Sequence, residues 1–118
     1  MLFDGSGNRN STLISKGIEV NRPPKTVEVD AESLDSLLGG ERVDYIKFDV
    51  EGAEKEAILG ARDTIAKHSP ALMISLYHRS GDIFELPLMI NEAFPGYRFY
   101  IRRREYVPAW DTVLIAVR

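Results

Sequence analysis

The run Tyr45-Ile46-Lys47-Phe48-Asp49-Val50-Glu51-Gly52-Ala53-Glu54 restricts the folds open to this chain more than any other segment. Ile46, Phe48 and Val50 alternate with Tyr45, Lys47, Asp49 and Glu51, the period-two pattern of a strand with one apolar face. A glycine breaks the strand, and helical spacing begins at once. Strand, glycine and helix in immediate succession make the βα turn of an open α/β sheet. Such sheets place ligands outside the carboxyl ends of their strands, so Asp49 and Glu51 fall where a ligand is expected. A central parallel strand ordinarily reads apolar on both faces. The charges here need a cause, and a site at the strand end supplies one.

The downstream sequence extends this pattern. A strand over 43–50 is followed by a helix over 53–67, with Ala53, Ala57, Ile58, Ala61 and Ile65 on one face. Glu54 and Glu56 in its first turn, with Lys67 and His68 in its last, complement the helix dipole. Pro70 ends the helix, and residues 71–77 (Ala-Leu-Met-Ile-Ser-Leu-Tyr) read as a buried parallel strand. Together these form a βαβ unit with a right-handed crossover. A second helix is expected from Glu85 to Phe94, with Pro87 near its start and Gly96 past its end. Residues 97–103 alternate again, 112–117 are apolar and β-branched, and the loop between them suits an antiparallel hairpin.

The start of the chain is less regular. Residues 1–30 read as an irregular or short-strand lead-in, turn-rich from Asp4 to Ser11 and broken again at Pro23-Pro24. Thr26 to Val29 alternates like a short strand. A brief helix over 34–38 has Ser33 or Asp30 as its cap and Gly39-Gly40 as its end.

At 118 residues the chain suits one domain, 1–118, with a real core. A net charge of −3 and a pI near 5.4 argue against a nucleic-acid module, which normally carries a basic face. The absence of cysteine excludes disulfides, thiolate metal sites and a cysteine nucleophile. With only His68 and His78, a histidine-rich metal cage is out of reach, and no metal centre is expected. No apolar run is long enough to cross a bilayer, no signal-peptide pattern opens the chain, and a cytoplasmic location is the expectation.

Ser33-Leu34-Asp35 followed by the 43–54 segment resembles the FkbM family of S-adenosylmethionine-dependent methyltransferases. The likeness continues through Leu59-Gly60-Ala61, Pro70, Tyr77-His78 and Asp111-Thr112-Val113-Leu114. It implies a Rossmann-like sheet whose last strand is antiparallel, and O-methylation of a hydroxyl on a small molecule or saccharide. Family members also carry, upstream, a strand and glycine-rich turn for the cofactor and an acidic residue for its ribose. Asp4-Gly5-Ser6-Gly7 lacks the strand-to-helix context of such a fingerprint. The expectation is therefore α/β: a partial Rossmann-like methyltransferase sheet, truncated before the main cofactor-binding strands. One βαβ unit is followed by a helix and a C-terminal hairpin, and an exposed sheet edge invites self-association.

The resemblance implies S-adenosylmethionine near Asp49 and Gly52, and Asp49 as the general base that activates the acceptor hydroxyl. The other reading of Asp49 is a charge pair with Lys47. Glu51 can orient substrate, hold a divalent metal with Asp49, or cap helix amides. Gly52 provides a tight turn, and Glu54 reads as a first-turn dipole partner. His78, at the end of the 71–77 strand, shares the Asp49 rim if the strands are parallel neighbours, and suits proton removal. Its other reading is a loop histidine bonded to backbone. His68 reads as structural, and Arg102-Arg103-Arg104 as a solvated strand end or an anion site. Trp110 and Tyr106 can line an acceptor pocket or anchor the hairpin.

Two functions remain open: an O-methyltransferase portion, and a non-catalytic binding module that keeps the fold. A phosphoacceptor receiver domain is disfavoured, because residues 1–30 offer no strand with an acidic pair leading into a helix.

Overall fold

The computed structural model describes residues 29–103 and 112–118, with the backbone of three short strands before them. Those strands, β1 (Leu2–Asp4), β2 (Leu13–Ile14) and β3 (Thr26–Glu28), form an antiparallel sheet in the order β2-β1-β3. After helix α1 (Leu34–Leu38) come strand β4 (Tyr45–Phe48) and helices α2 (Glu54–Leu59) and α3 (Arg62–His68). Strand β5 (Ala71–Ser75), helix α4 (Asp82–Ala93) and strands β6 (Arg98–Arg102) and β7 (Val113–Val117) complete the order.

The main sheet runs β4-β5-β7-β6. β4 and β5 are parallel, as a βαβ unit requires, and β7 lies antiparallel to both β5 and β6. The expected hairpin is present, with its second strand inserted beside β5. Two cross-sheet rows, Ile46-Leu72-Ala116-Phe99 and Phe48-Ile74-Leu114-Ile101, share the helix-side face, where Ile101 at the β6 end stays exposed. Ile58, Ile65, Leu86, Ile90 and Phe94 close the core over that face. Each fully buried aliphatic side chain there contributes about 1.5–3 kcal/mol.

On the other face, Tyr45 is 54% and Tyr100 40% exposed, and Lys47 is also exposed. Among the described residues β4 is an edge strand, covered by helices on one side only. The charged alternation of β4 matches this division, with Ile46 and Phe48 against the helices and Tyr45 and Lys47 on the other face.

Several boundaries differ from the sequence expectation. The helix expected over 53–67 is two helices, separated at Gly60-Ala61. Gly60 takes up φ −73° and ψ −5°, its N–H bonds Glu56 and Ile58 carbonyls, and Ala61 follows at φ −114°. The second helix starts three residues earlier than expected, at Asp82, so Pro87 lies inside it and forgoes one helical hydrogen bond. β4 and β5 are also shorter than their apolar runs, because pairing stops where the chain turns into the rim.

The break at Gly60 has a mechanical cause in α1. The Ser33 side chain accepts the Ser36 N–H at 3.2 Å and caps α1, while Gly39 ends it in the left-handed region at φ 55°. The Asp35 N–H donates to the Gly60 carbonyl at 2.9 Å. The Asp35 carboxylate accepts the Asp63 and Thr64 N–H groups at 3.0 and 2.8 Å, capping α3 from a distant segment. A Cβ on Gly60 would stand 3.3 Å from the Ser33 Cβ, so any larger residue would push the two segments a few tenths of an ångström apart. Ser33, Asp35 and Gly60 thus form one clamp.

Desolvation acts most strongly on Asp35 and raises its pKa, yet the hydrogen bonds from Thr64 and Asp63 outweigh it and hold the carboxyl below 3.8. A depressed carboxyl stabilises the fold above its unfolded value, and that contribution fades as pH falls through the folded value. Asp35→Ala should lower the unfolding free energy by about 1–2 kcal/mol at neutral pH. In urea unfolding, this deficit should shrink well below pH 3.8; a deficit that persists in acid would contradict the clamp.

Candidate active site

The parallel register that pairs Phe48 with Ile74 sets Asp49 beside Ser75, at the carboxyl ends of β4 and β5. The Ser75 hydroxyl donates to Asp49 Oδ1 at 2.8 Å, and the Tyr77 hydroxyl donates to the same oxygen at 2.9 Å. Lys47 Nζ stands 3.1 Å from Oδ2. Burial is the largest single influence on Asp49 and raises its pKa, but these bonds outweigh it and hold the carboxyl below 3.8. Asp49 is therefore a well-satisfied carboxylate and a weak base. The expected pairing with Lys47 is present, and it lies within the rim.

After Asp49 the chain makes a tight turn. Glu51 adopts φ 55° and Gly52 φ 94°, and the Ala53 N–H donates to the Val50 carbonyl at 3.2 Å. Gly52 is buried, and its left-handed backbone explains the glycine. For Glu51 the same region costs about 1–2 kcal/mol.

The turn delivers Glu54 into the interior, where it is 1% exposed. Its Oε1 accepts the Val50 N–H at 3.0 Å and lies 2.6 Å from His78 Nδ1. The His78 ring is held by this carboxylate, where the alternative expectation was a bond to backbone. Its Nε2 stands 3.5 Å from Glu51 Oε2 and 3.8 Å from Asp49 Oδ1. The Tyr77 ring packs against it, with centroids 4.3 Å apart. Burial first, and then the Asp49 carboxylate, push the Tyr77 hydroxyl above 10.0, so it acts as a donor.

Behind this pair stands a second buried carboxyl, Asp82, at the start of α4. Glu54 Oε2 and Asp82 Oδ2 are both buried without a hydrogen-bond partner. Burial, and then the charge of Glu54, push Asp82 above 3.8.

The structure thus brings Asp49, Glu51, Gly52 and His78 to one rim. Trp110, Tyr106 and Arg104 lie outside the described residues. His68 lies at the opposite end of the sheet, next to the start of β5, with its Nε2 buried. Arg102 is exposed at the end of β6, its guanidinium 5.5 Å from the Tyr100 ring centroid. Among the described residues, no group of three His, Asp or Glu side chains has the spacing of a metal site. A groove of about 230 Å³ between α2 and α4, bordered by Leu59, Arg62, Met89 and Glu92, contains none of the rim residues.

Residues 3–108 match the model of the Methyltransferase FkbM domain. This chain belongs to the FkbM methyltransferase family. The crystal structure of the methyltransferase FkbM from Methylobacillus flagellatus KT is 37% identical and superposes with a TM-score of 0.66. The match covers 71% of the present chain and 22% of the Methylobacillus chain. No curated protein matches.

Within this FkbM chain, the motifs that carried the resemblance divide in two. Ser33, Asp35 and Gly60 are framework, whereas Asp49, Glu51 and His78 line the rim. Sequence reading missed Ser75, Tyr77 and the burial of Glu54. Glu54 was legible in principle, because it is spaced with Ile58, Ala61 and Ile65 on the buried stripe, where a charge is out of place.

Removing both hydroxyl donors, in Ser75→Ala with Tyr77→Phe, should move the Asp49 pKa upward. A carbon-13 carboxyl titration reads that shift; an unmoved midpoint would show that the two hydrogen bonds do not hold Asp49 down.

Proposed function

We propose that this chain carries the acceptor end of an S-adenosylmethionine-dependent O-methyltransferase site, acting on a hydroxyl of a small molecule or saccharide. One observation carries the reading: His78 is anchored through Nδ1, and its Nε2 stands on the rim beside Asp49 and Glu51.

The donor set suits the charged end of the cofactor. The Asp49 and Glu51 carboxylates make an electronegative rim for a sulfonium cation, and Gly52 leaves the turn free of a side chain. Among the described residues no glycine-rich strand-to-helix turn serves the adenosine end, which we assign to parts outside them. When bound, S-adenosylmethionine supplies the electrophilic methyl group.

The chain's own residues do the rest. Asp49, fixed by Ser75, Tyr77 and Lys47, keeps lone pairs with which to accept a hydrogen bond from a second hydroxyl of the acceptor and so orient it, while the reacting hydroxyl donates its proton to His78 Nε2. His78 Nε2 takes that proton as the oxygen becomes nucleophilic. The imidazolium that results is stabilised by Glu54 at Nδ1 and by Asp49 and Glu51 beyond Nε2. Tyr77 remains protonated and keeps Asp49 in place. Positioning contributes alongside proton transfer, because both groups sit on strand ends set by one register.

The test is transfer of an isotope-labelled methyl group to a panel of alcohols and saccharides, by the chain alone and with a homologous amino-terminal half. His78→Gln should lower kcat by about 10²–10⁴-fold. Asp49→Asn should lower transfer with little loss of stability. Full activity in both variants would remove the rim from the reaction.

A further inference from the structure

Glu54 does more than fill the first turn of α2. Its Oε1 already accepts the Val50 N–H, and an ionised carboxylate oxygen can only accept, so with Glu54 ionised the 2.6 Å contact to His78 Nδ1 puts a proton on that nitrogen. We infer that Glu54 is a positioning residue, which holds neutral His78 in the Nδ1–H form so that its Nε2 lone pair points onto the Asp49–Glu51 rim.

Three features support this role. The ring is nearly enclosed, with 10% of its side chain exposed and Glu54 at 1%, so water cannot readily replace the carboxylate. Burying a carboxylate is costly unless it is hydrogen-bonded, and Glu54 has two partners, the Val50 N–H and the His78 ring. A fold that needed only a helix start would use an exposed residue at position 54. Finally, the turn that points Glu54 inward is built on the left-handed backbone of Glu51 and Gly52. Which nitrogen of a histidine is basic is set by the bond the other one makes. A carboxylate behind a catalytic imidazole does this in the Ser-His-Asp triad.

The charged groups around the ring come from three segments. Asp49 and Glu51 lie beyond Nε2, Glu54 lies at Nδ1, and Asp82 on α4 faces Glu54 from behind. Burial and the Glu54 charge both push Asp82 towards its protonated form.

The importance of the tautomer for turnover rests on the reading of His78 as the base; the tautomer itself does not. Nitrogen-15 spectra of histidine-labelled chain separate the two, and only two imidazoles, His68 and His78, need assignment. At a pH where the ring is neutral, wild-type His78 should show a protonated-type Nδ1 and a lone-pair-type Nε2. Glu54→Gln should keep this pattern, because the Val50 N–H obliges the glutamine to present its carbonyl oxygen at the same place. Glu54→Leu should exchange the two signals and lower kcat by about 10²-fold without raising KM, with Glu54→Gln recovering most of the loss. A wild-type ring protonated at Nε2 overturns the assignment, even if Glu54→Leu fails to fold. An unchanged ring in a folded Glu54→Leu overturns it equally. The predicted tautomer together with a fully active His78→Gln would instead refute the base reading and leave Glu54's hold on the ring intact.

Discussion

Glu54 ties three segments of this chain together. It begins α2, accepts the amide of Val50 in the turn after β4, and holds the imidazole that follows β5. Without the parallel pairing of β4 and β5, Glu54 and His78 would not meet. Without Glu54, the turn would lose an acceptor and the ring its orientation. The rim depends on this one buried carboxylate more than on any exposed charge.

The local cost of the arrangement is visible in three places. Glu51 occupies the left-handed region without being glycine, at about 1–2 kcal/mol. Glu54 and Asp82 are both buried carboxyl groups, and the charge of Glu54 adds to burial in raising the Asp82 pKa. Elsewhere in the framework, Asp35 caps α3 with two hydrogen bonds and the Tyr97 hydroxyl donates to the Pro70 carbonyl at 2.7 Å, while Ser69, at the end of α3, is the second non-glycine residue with a left-handed backbone among the described residues. What distinguishes the rim is the gathering of Asp49, Glu51, Glu54, His78 and Asp82 around one turn, and clustered ionisable groups at a strand end are expected of a functional site.

Much of this was legible in the residues. Periodicity located the βαβ unit, the hairpin and the apolar stripe of Ile58, Ala61 and Ile65. Glycine and the run of carboxylates located the rim. What escaped depends on long-range contact. The break at Gly60 follows from the approach of Ser33 and Asp35, more than 20 residues away in sequence. The insertion of β7 beside β5 is a matter of topology that no local pattern encodes. Lys47 reads from the sequence as a charge that needs a cause, and its partner in the structure is Asp49 on the rim. Ser75 reads as one more residue of a buried strand until the register places it beside Asp49. Membership of the FkbM family agrees with the motif-level resemblance, and the structure divides those motifs into frame and rim.

The central claim is that the carboxyl ends of β4 and β5 receive the methyl donor and acceptor. Amide spectra of nitrogen-15-labelled chain, recorded as S-adenosylmethionine is added, test it most directly. The account predicts shifts concentrated in residues 49–54 and 75–79. Shifts confined to the groove between α2 and α4, or no shift at any rim residue at saturating cofactor, would contradict it.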